Sequence, residues 1–137
     1  MTNLEIVKTR LYEKEASLVV MFEDEKVEEY YNQRLTDIIS ILKDNKNALK
    51  GAVIADKIIG KTAASLLSVA GVKEIYAKTI SEFAIPVLEE YNIKYEYENR
   101  VEFIINNKGD GMCPMENKFK DETNIRNIYD YFIEEKN

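Results

Sequence analysis

Histidine is missing from this chain of 137 residues, and cysteine occurs once, at Cys113. The first absence removes Ser-His and Cys-His nucleophilic catalysis and any His-ligated zinc. The second removes a disulfide within the chain. A bound metal would have to be a hard cation held by carboxylates. No Asp-rich loop carries that spacing, so no metal or cofactor, zinc included, is expected. Long apolar runs are lacking too, since a membrane-spanning helix needs about 20 apolar residues. The opening Met1-Thr2-Asn3-Leu4-Glu5 has no signal-peptide character, so the expected setting is the cytoplasm, away from membranes. Basic residues are outnumbered, 19 against 25 acidic, for a net charge of −6. No basic stripe with interleaved aromatics appears, which argues against a nucleic-acid partner. An acidic chain still accommodates a small phosphorylated ligand where a few lysines and backbone N–H groups converge.

What is present is ordinary for a globular protein: 45% hydrophobic and 32% charged residues. The length suits a single domain, residues 1–137, with a hydrophobic core of its own. Leu4, Val7 and Leu11 mark one stripe of a helix over residues 3–13. Residues 17–22 read as a buried strand, and Glu23, Asp24 and Glu25 as a turn. Residues 26–31 return as the second strand of a hairpin. Leu35, Ile38, Ile39 and Leu42 fall on one helical face. Residues 51–55 read as a strand that breaks off at Asp56 and Lys57. A helix over residues 61–70 follows, closed by Gly71. Residues 72–77 form a third buried strand. Ser81 is placed to cap the next helix, which carries Pro86 in its first turn and stops at Asn92. Residues 94–98 alternate polar and aromatic side chains, as an edge strand does. A helix over residues 121–134 shows Ile125, Ile128, Tyr129, Phe132 and Ile133 on one face. Strands separated by helices predict parallel pairing, with one N-terminal antiparallel hairpin at the edge. The predicted class is α/β, a three-layer α/β/α sandwich around a mixed five-stranded sheet. The tyrosines Tyr30, Tyr31, Tyr95 and Tyr97 fit strand positions.

Two segments carry candidate chemistry. Residues 55–62, Ala-Asp-Lys-Ile-Ile-Gly-Lys-Thr, match a phosphate-loop pattern with Ala in place of the first glycine. The β-branched Ile58 and Ile59 oppose the wrapping of backbone around phosphates, so a nucleotide triphosphatase is not expected. A weaker reading has Gly60, Lys61 and Thr62 offering N–H groups to an anion at a helix start. Its alternative has Gly60 permitting close packing while Lys61 points to solvent. Asp56 and Lys57 stand where a central strand is expected to end, and open α/β sheets bind ligands there. The second segment, residues 106–116, holds Asn106, Gly109 and Gly111, whose glycines permit tight turns. Cys113-Pro114-Met115-Glu116 then reads as a helix start with Glu116 in a capping box. Cys113 at such a start is either an activated thiolate, aided by Lys108, or a small residue at the N-cap position.

On residues 51–64, on Val-Lys-Glu-Ile-Tyr-Ala from Val72, on Ser81-Glu82 and on Gly-Met-Cys-Pro-Met-Glu from Gly111, the chain resembles a prokaryotic family. That family is domain of unknown function 1893, and the resemblance spans nearly the whole chain. It implies a cytidine-deaminase-like fold and assembly into at least a dimer. Cytidine deaminases carry a His or Cys followed by Ala-Glu on one helix and Pro-Cys-x-x-Cys on the next. The resemblance equates those places with residues 31–35 and 60–65, which contain no zinc ligand and no proton-shuttling glutamate. The Cys-Pro pair at Cys113 comes too late in the chain to replace them.

The functional expectation is a zinc-free, deaminase-like domain that binds a nucleotide-like or other anionic small molecule at the strand carboxyl ends. Asp56, Lys57, Gly60, Lys61 and Thr62 would line one side, and Asn106, Gly109, Gly111, Cys113 and Glu116 the other. Two alternatives stand beside it. Cys113 could serve as nucleophile or redox centre, or the hairpin edge and helices could pair with copies of the chain.

Overall fold

The computed structural model describes residues 1–32 and 35–134. The chain opens with helix α1 (Asn3–Glu13), capped by Thr2 and Glu5 in a reciprocal capping box. Strands β1 (Leu18–Met21) and β2 (Val27–Tyr30) form the predicted hairpin, with Leu18 opposite Tyr30 and Met21 opposite Val27. Helix α2 (Thr36–Asp44) leads to β3 (Val53–Ile59), α3 (Lys61–Ala70) and β4 (Glu74–Ser81). Helix α4 (Ile85–Glu90) and β5 (Lys94–Val101) complete the sheet. Helices α5 (Pro114–Phe119) and α6 (Ile125–Tyr129) end the described chain with a π-helical turn, Asp130–Glu134.

The result is a mixed α/β fold on one five-stranded sheet, in the order β2-β1-β3-β4-β5. Strand β1 runs antiparallel to both β2 and β3, while β3, β4 and β5 are parallel. Parallel neighbours need a crossover, and α3 and α4 supply the two. Strand periodicity separates two cores. Val19, Met21, Val53, Ala55 and Tyr76 pack under Leu4, Val7 and Leu11 of α1. Their alternates Leu18, Val20, Ile54, Ile75 and Ala77 share the larger core with α2, α3, α4 and α6. Helix α3 lies deepest: nine of its ten residues are buried.

Three boundaries differ from the sequence-based expectation, each for a physical reason. Strand β3 does not stop at Asp56 but runs on to Ile59. It lies between two partners, with Asp56 opposite both Leu18 and Ala77. Two-sided pairing outweighs the poor strand preference of Asp and Lys. Ser81 is the last residue of β4 rather than a helix cap, and its hydroxyl is buried without a partner among the described residues. The N-cap position of α4 falls to Ala84, with Pro86 in the first turn as expected. The C-terminal helix starts at Ile125, not Asp121, because the Asn124 side chain accepts from the Arg126 N–H and caps it there.

Gly71 closes α3 at φ +86°, in the left-handed region. Its carbonyl accepts from the Gly51 N–H at 2.9 Å, joining the end of α3 to the start of the β3 segment. Gly71→Ala is expected to lower stability by about 1–2 kcal/mol, the cost of a left-handed L-residue. Urea denaturation measures it, and an unchanged midpoint refutes the assignment.

Candidate functional site

At the carboxyl end of β3, Gly60 turns the chain into α3, and the first helical N–H, on Lys61, is buried. A buried helix start must find acceptors for its free N–H groups. The acceptor here is the carboxylate of Glu116. Its Oε1 takes the Lys61 N–H at 2.7 Å, and its Oε2 takes the Ile104 N–H at 2.9 Å. The predicted capping box on α5 is therefore not formed: Glu116 caps α3, 55 residues earlier in sequence. Gly60 allows the approach, since a Cβ there would stand 2.9 Å from Glu116 Oε1.

The Lys61 side chain completes the clamp from the other direction. It does not point to solvent; it is buried, and its Nζ donates to the carbonyls of Lys120 at 3.0 Å and Glu122 at 2.5 Å. Burial holds its ammonium below the ordinary lysine range, opposed by the nearby Glu122, Asp121 and Glu116. Helices α3 and α5 are thus tied at two points.

Between them lies a pocket of about 120 Å³, lined by Leu35, Ile58, Gly60, Thr62, Ala63, Ile104, Cys113, Met115 and Glu116. The two segments singled out in the sequence, 55–62 and 106–116, meet here through Gly60, Thr62, Cys113 and Glu116. The wall is mostly apolar. Thr62 is buried, and its Oγ1 has no hydrogen-bond partner among the described residues. Cys113 stands at the N-cap position of α5 with its sulfur half-buried, while its N–H donates to the Ile104 carbonyl at 2.7 Å. Leu35 and Ile104 were not anticipated: each is an apolar residue in an irregular segment, and nothing in the local sequence marks it.

The remaining predicted residues lie elsewhere. Asp56 is buried inside the sheet, with its Oδ1 accepting from the Ile58 N–H at 3.2 Å. Burial raises its pKa to about 7, and the neighbouring Asp37 pushes in the same direction. Lys57 is exposed beside Tyr12, Glu15 and Lys78 at the end of α1. Neither marks the strand end, as the continuation of β3 shows. Asn106, Gly109 and Gly111 build a separate loop. The Asn106 Oδ1 accepts from the Gly109 N–H at 2.8 Å, and the Gly111 carbonyl accepts from the Asn106 N–H at 2.9 Å. The phosphate-loop pattern has no loop to act with, because residues 55–59 are strand.

The zinc of the deaminase fold does not fit these residues. A catalytic zinc takes three protein ligands. The pocket offers only the Cys113 sulfur and the Glu116 carboxylate, whose oxygens already serve Lys61 and Ile104. Of the segment 31–35, Gln33 and Arg34 lie outside the described residues.

Residues 6–136 match the family model described as Domain of unknown function (DUF1893). No curated protein matches the chain. A crystal structure of a DUF1893 family protein from Thermotoga maritima is 26% identical, with a TM-score of 0.83 over 93% of this chain and 86% of its own. No helix among the described residues is long and apolar enough to cross a membrane.

Glu116→Ala leaves two buried N–H groups without acceptors and is expected to cost about 2–4 kcal/mol of stability in denaturant titration. A loss under half a kcal/mol would rule out the clamp. Asp56 generates a pH dependence. In the unfolded chain it ionises near pH 4, in the fold near 7. The folded state holds the extra proton between those values, so this contribution is full below about pH 4 and is lost as pH rises through 7. Asp56→Asn is expected to flatten that slope and to stabilise the fold at pH 8 by on the order of 2–4 kcal/mol. Parallel slopes for variant and wild type would contradict it.

Proposed function

The chain belongs to the DUF1893 family, and we propose that it is a zinc-free, cytidine-deaminase-like binding domain whose pocket takes the uncharged ring of a nucleotide-like small molecule. The strand order β2-β1-β3-β4-β5, with α1 on one face and α3 on the other, supports a three-layer deaminase-like sandwich. Leu35 and Gly60 both line the pocket. They belong to the two places that the deaminase resemblance equates with the zinc motifs, so the pocket lies where that fold does its chemistry.

One observation carries the reading: Thr62, whose buried Oγ1 has no partner among the described residues, lines a mostly apolar wall. A buried hydroxyl left alone is unfavourable, and a ligand group that bonds it removes that penalty. The volume sets the ligand's size. A cavity of about 150 Å³ holds a benzene ring, whereas sites for whole drug-sized ligands run from about 300 Å³. About 120 Å³ admits one small ring, not a nucleotide. The charge sets its character. Glu116 already occupies the anion position at the start of α3, so the ring enters uncharged and any phosphate stays outside. The anionic part of the sequence-based expectation is thereby replaced.

The alternative with Cys113 as nucleophile or redox centre uses the same pocket. Among the described residues no base hydrogen-bonds its sulfur, so binding is the simpler reading.

Calorimetry against free bases, nucleosides and nucleotides tests the proposal. Bases or nucleosides are expected to bind, and Thr62→Val to weaken them about tenfold, the worth of one hydrogen bond. The same variant is expected to raise folding stability by about 1 kcal/mol, because it removes a buried hydroxyl without a partner. No binding at millimolar ligand, or equal binding by Thr62→Val, sinks the proposal.

A further inference from the structure

Strand β5 is one of the two edges of the sheet, and among the described residues no strand pairs with its outer side. It is one of the two longest strands, at eight residues, and six of those eight are exposed. Such an edge is a template for another strand unless something blunts it. Charged side chains, proline and bulges are the usual devices; β5 contains no proline, and its charges are of both signs, so they admit a partner of complementary order. Its backbone is aimed for pairing. The Val101 carbonyl turns inward to accept from the Glu82 N–H at 2.8 Å. With a period of two, the N–H and C=O groups of Glu96, Glu98 and Arg100 therefore turn outward.

The side chains specify what pairs there. Along one face the order is Lys94, Glu96, Glu98, Arg100. We propose that this edge pairs antiparallel with the β5 of a second copy of the chain, about a two-fold axis at Glu98. In that register Glu96 faces the partner's Arg100, and Arg100 the partner's Glu96. Outward backbone groups meet outward backbone groups. On the opposite face, Tyr95 meets the partner's Val101, next to the stacked Tyr95–Tyr97 pair, whose ring centroids are 6.4 Å apart.

One neighbouring register fails on the same chemistry. Centring on Tyr97 sets Lys94 against Arg100 and Glu96 against Glu98, which like charges oppose. A shift of one residue turns outward groups toward inward ones and loses the hydrogen bonds. Parallel pairing in register stacks identical charges, and a closed two-fold dimer requires the antiparallel sense. Glu98 meets its own copy at the axis, and its Oε1 already accepts from the Tyr12 hydroxyl at 3.1 Å.

Sedimentation equilibrium of the full chain over a concentration series is the experiment. Wild type is expected to be a dimer. Glu96→Lys and Arg100→Glu, each creating like-charge pairs, are expected to shift it at least tenfold toward monomer. The double variant, Glu96→Lys with Arg100→Glu, restores unlike pairs across the axis and is expected to dimerise again. That rescue separates lost pairing from a damaged fold. A wild-type monomer at millimolar concentration overturns the proposal. So does a dimer indifferent to either single reversal, or a double variant that stays monomeric.

Discussion

A single carboxylate, Glu116, holds the arrangement on which the rest of this molecule depends. Helix α3 is enclosed by α4, α5 and α6 and by the sheet. Water cannot serve its first N–H group, so the chain must supply an acceptor. Glu116 does so from the far side of the fold, and its second oxygen fixes Ile104 in the same act. The Lys61 ammonium answers by holding the carbonyls that follow α5. These contacts set the distance between α3 and α5, and that distance is the width of the pocket.

The pocket's chemistry follows from the same choice. Helix starts attract anions, and proteins of this architecture often turn that attraction on a ligand. Here the attraction is spent inside the chain. Beside Glu116, the lining is Thr62, Cys113 and mostly aliphatic side chains, surroundings suited to shape and a hydrogen bond rather than to charge. Burial of Lys61 reinforces this, because its cation is directed at backbone carbonyls and away from the opening.

Local chemistry made much of the fold legible. The Leu4, Val7 and Leu11 stripe of α1, the Gly71 stop and the alternating β5 edge each follow from neighbours in sequence, and the structure has them where expected. Legibility failed where distant partners decide. Asp56 and Lys57 look like a turn until β1 and β4 bind them from both sides. Glu116 looks like the cap of its own helix, because its true partner is 55 residues away. Of the predicted site, Gly60, Thr62, Cys113 and Glu116 converge on one pocket. Asp56, Lys57 and the Asn106 loop do not: Asp56 is buried within the sheet, Lys57 turns to the opposite face beside α1, and the loop bonds to itself.

A phosphate resting on a helix start comes and goes with its concentration in the surrounding solution. Glu116 cannot be diluted. Held in place by the fold, it meets the Lys61 N–H as an intramolecular partner, whatever the medium contains. The start of α3 therefore keeps its acceptor in dilute and in salt-rich solution alike, and competing inorganic anions find that position already taken.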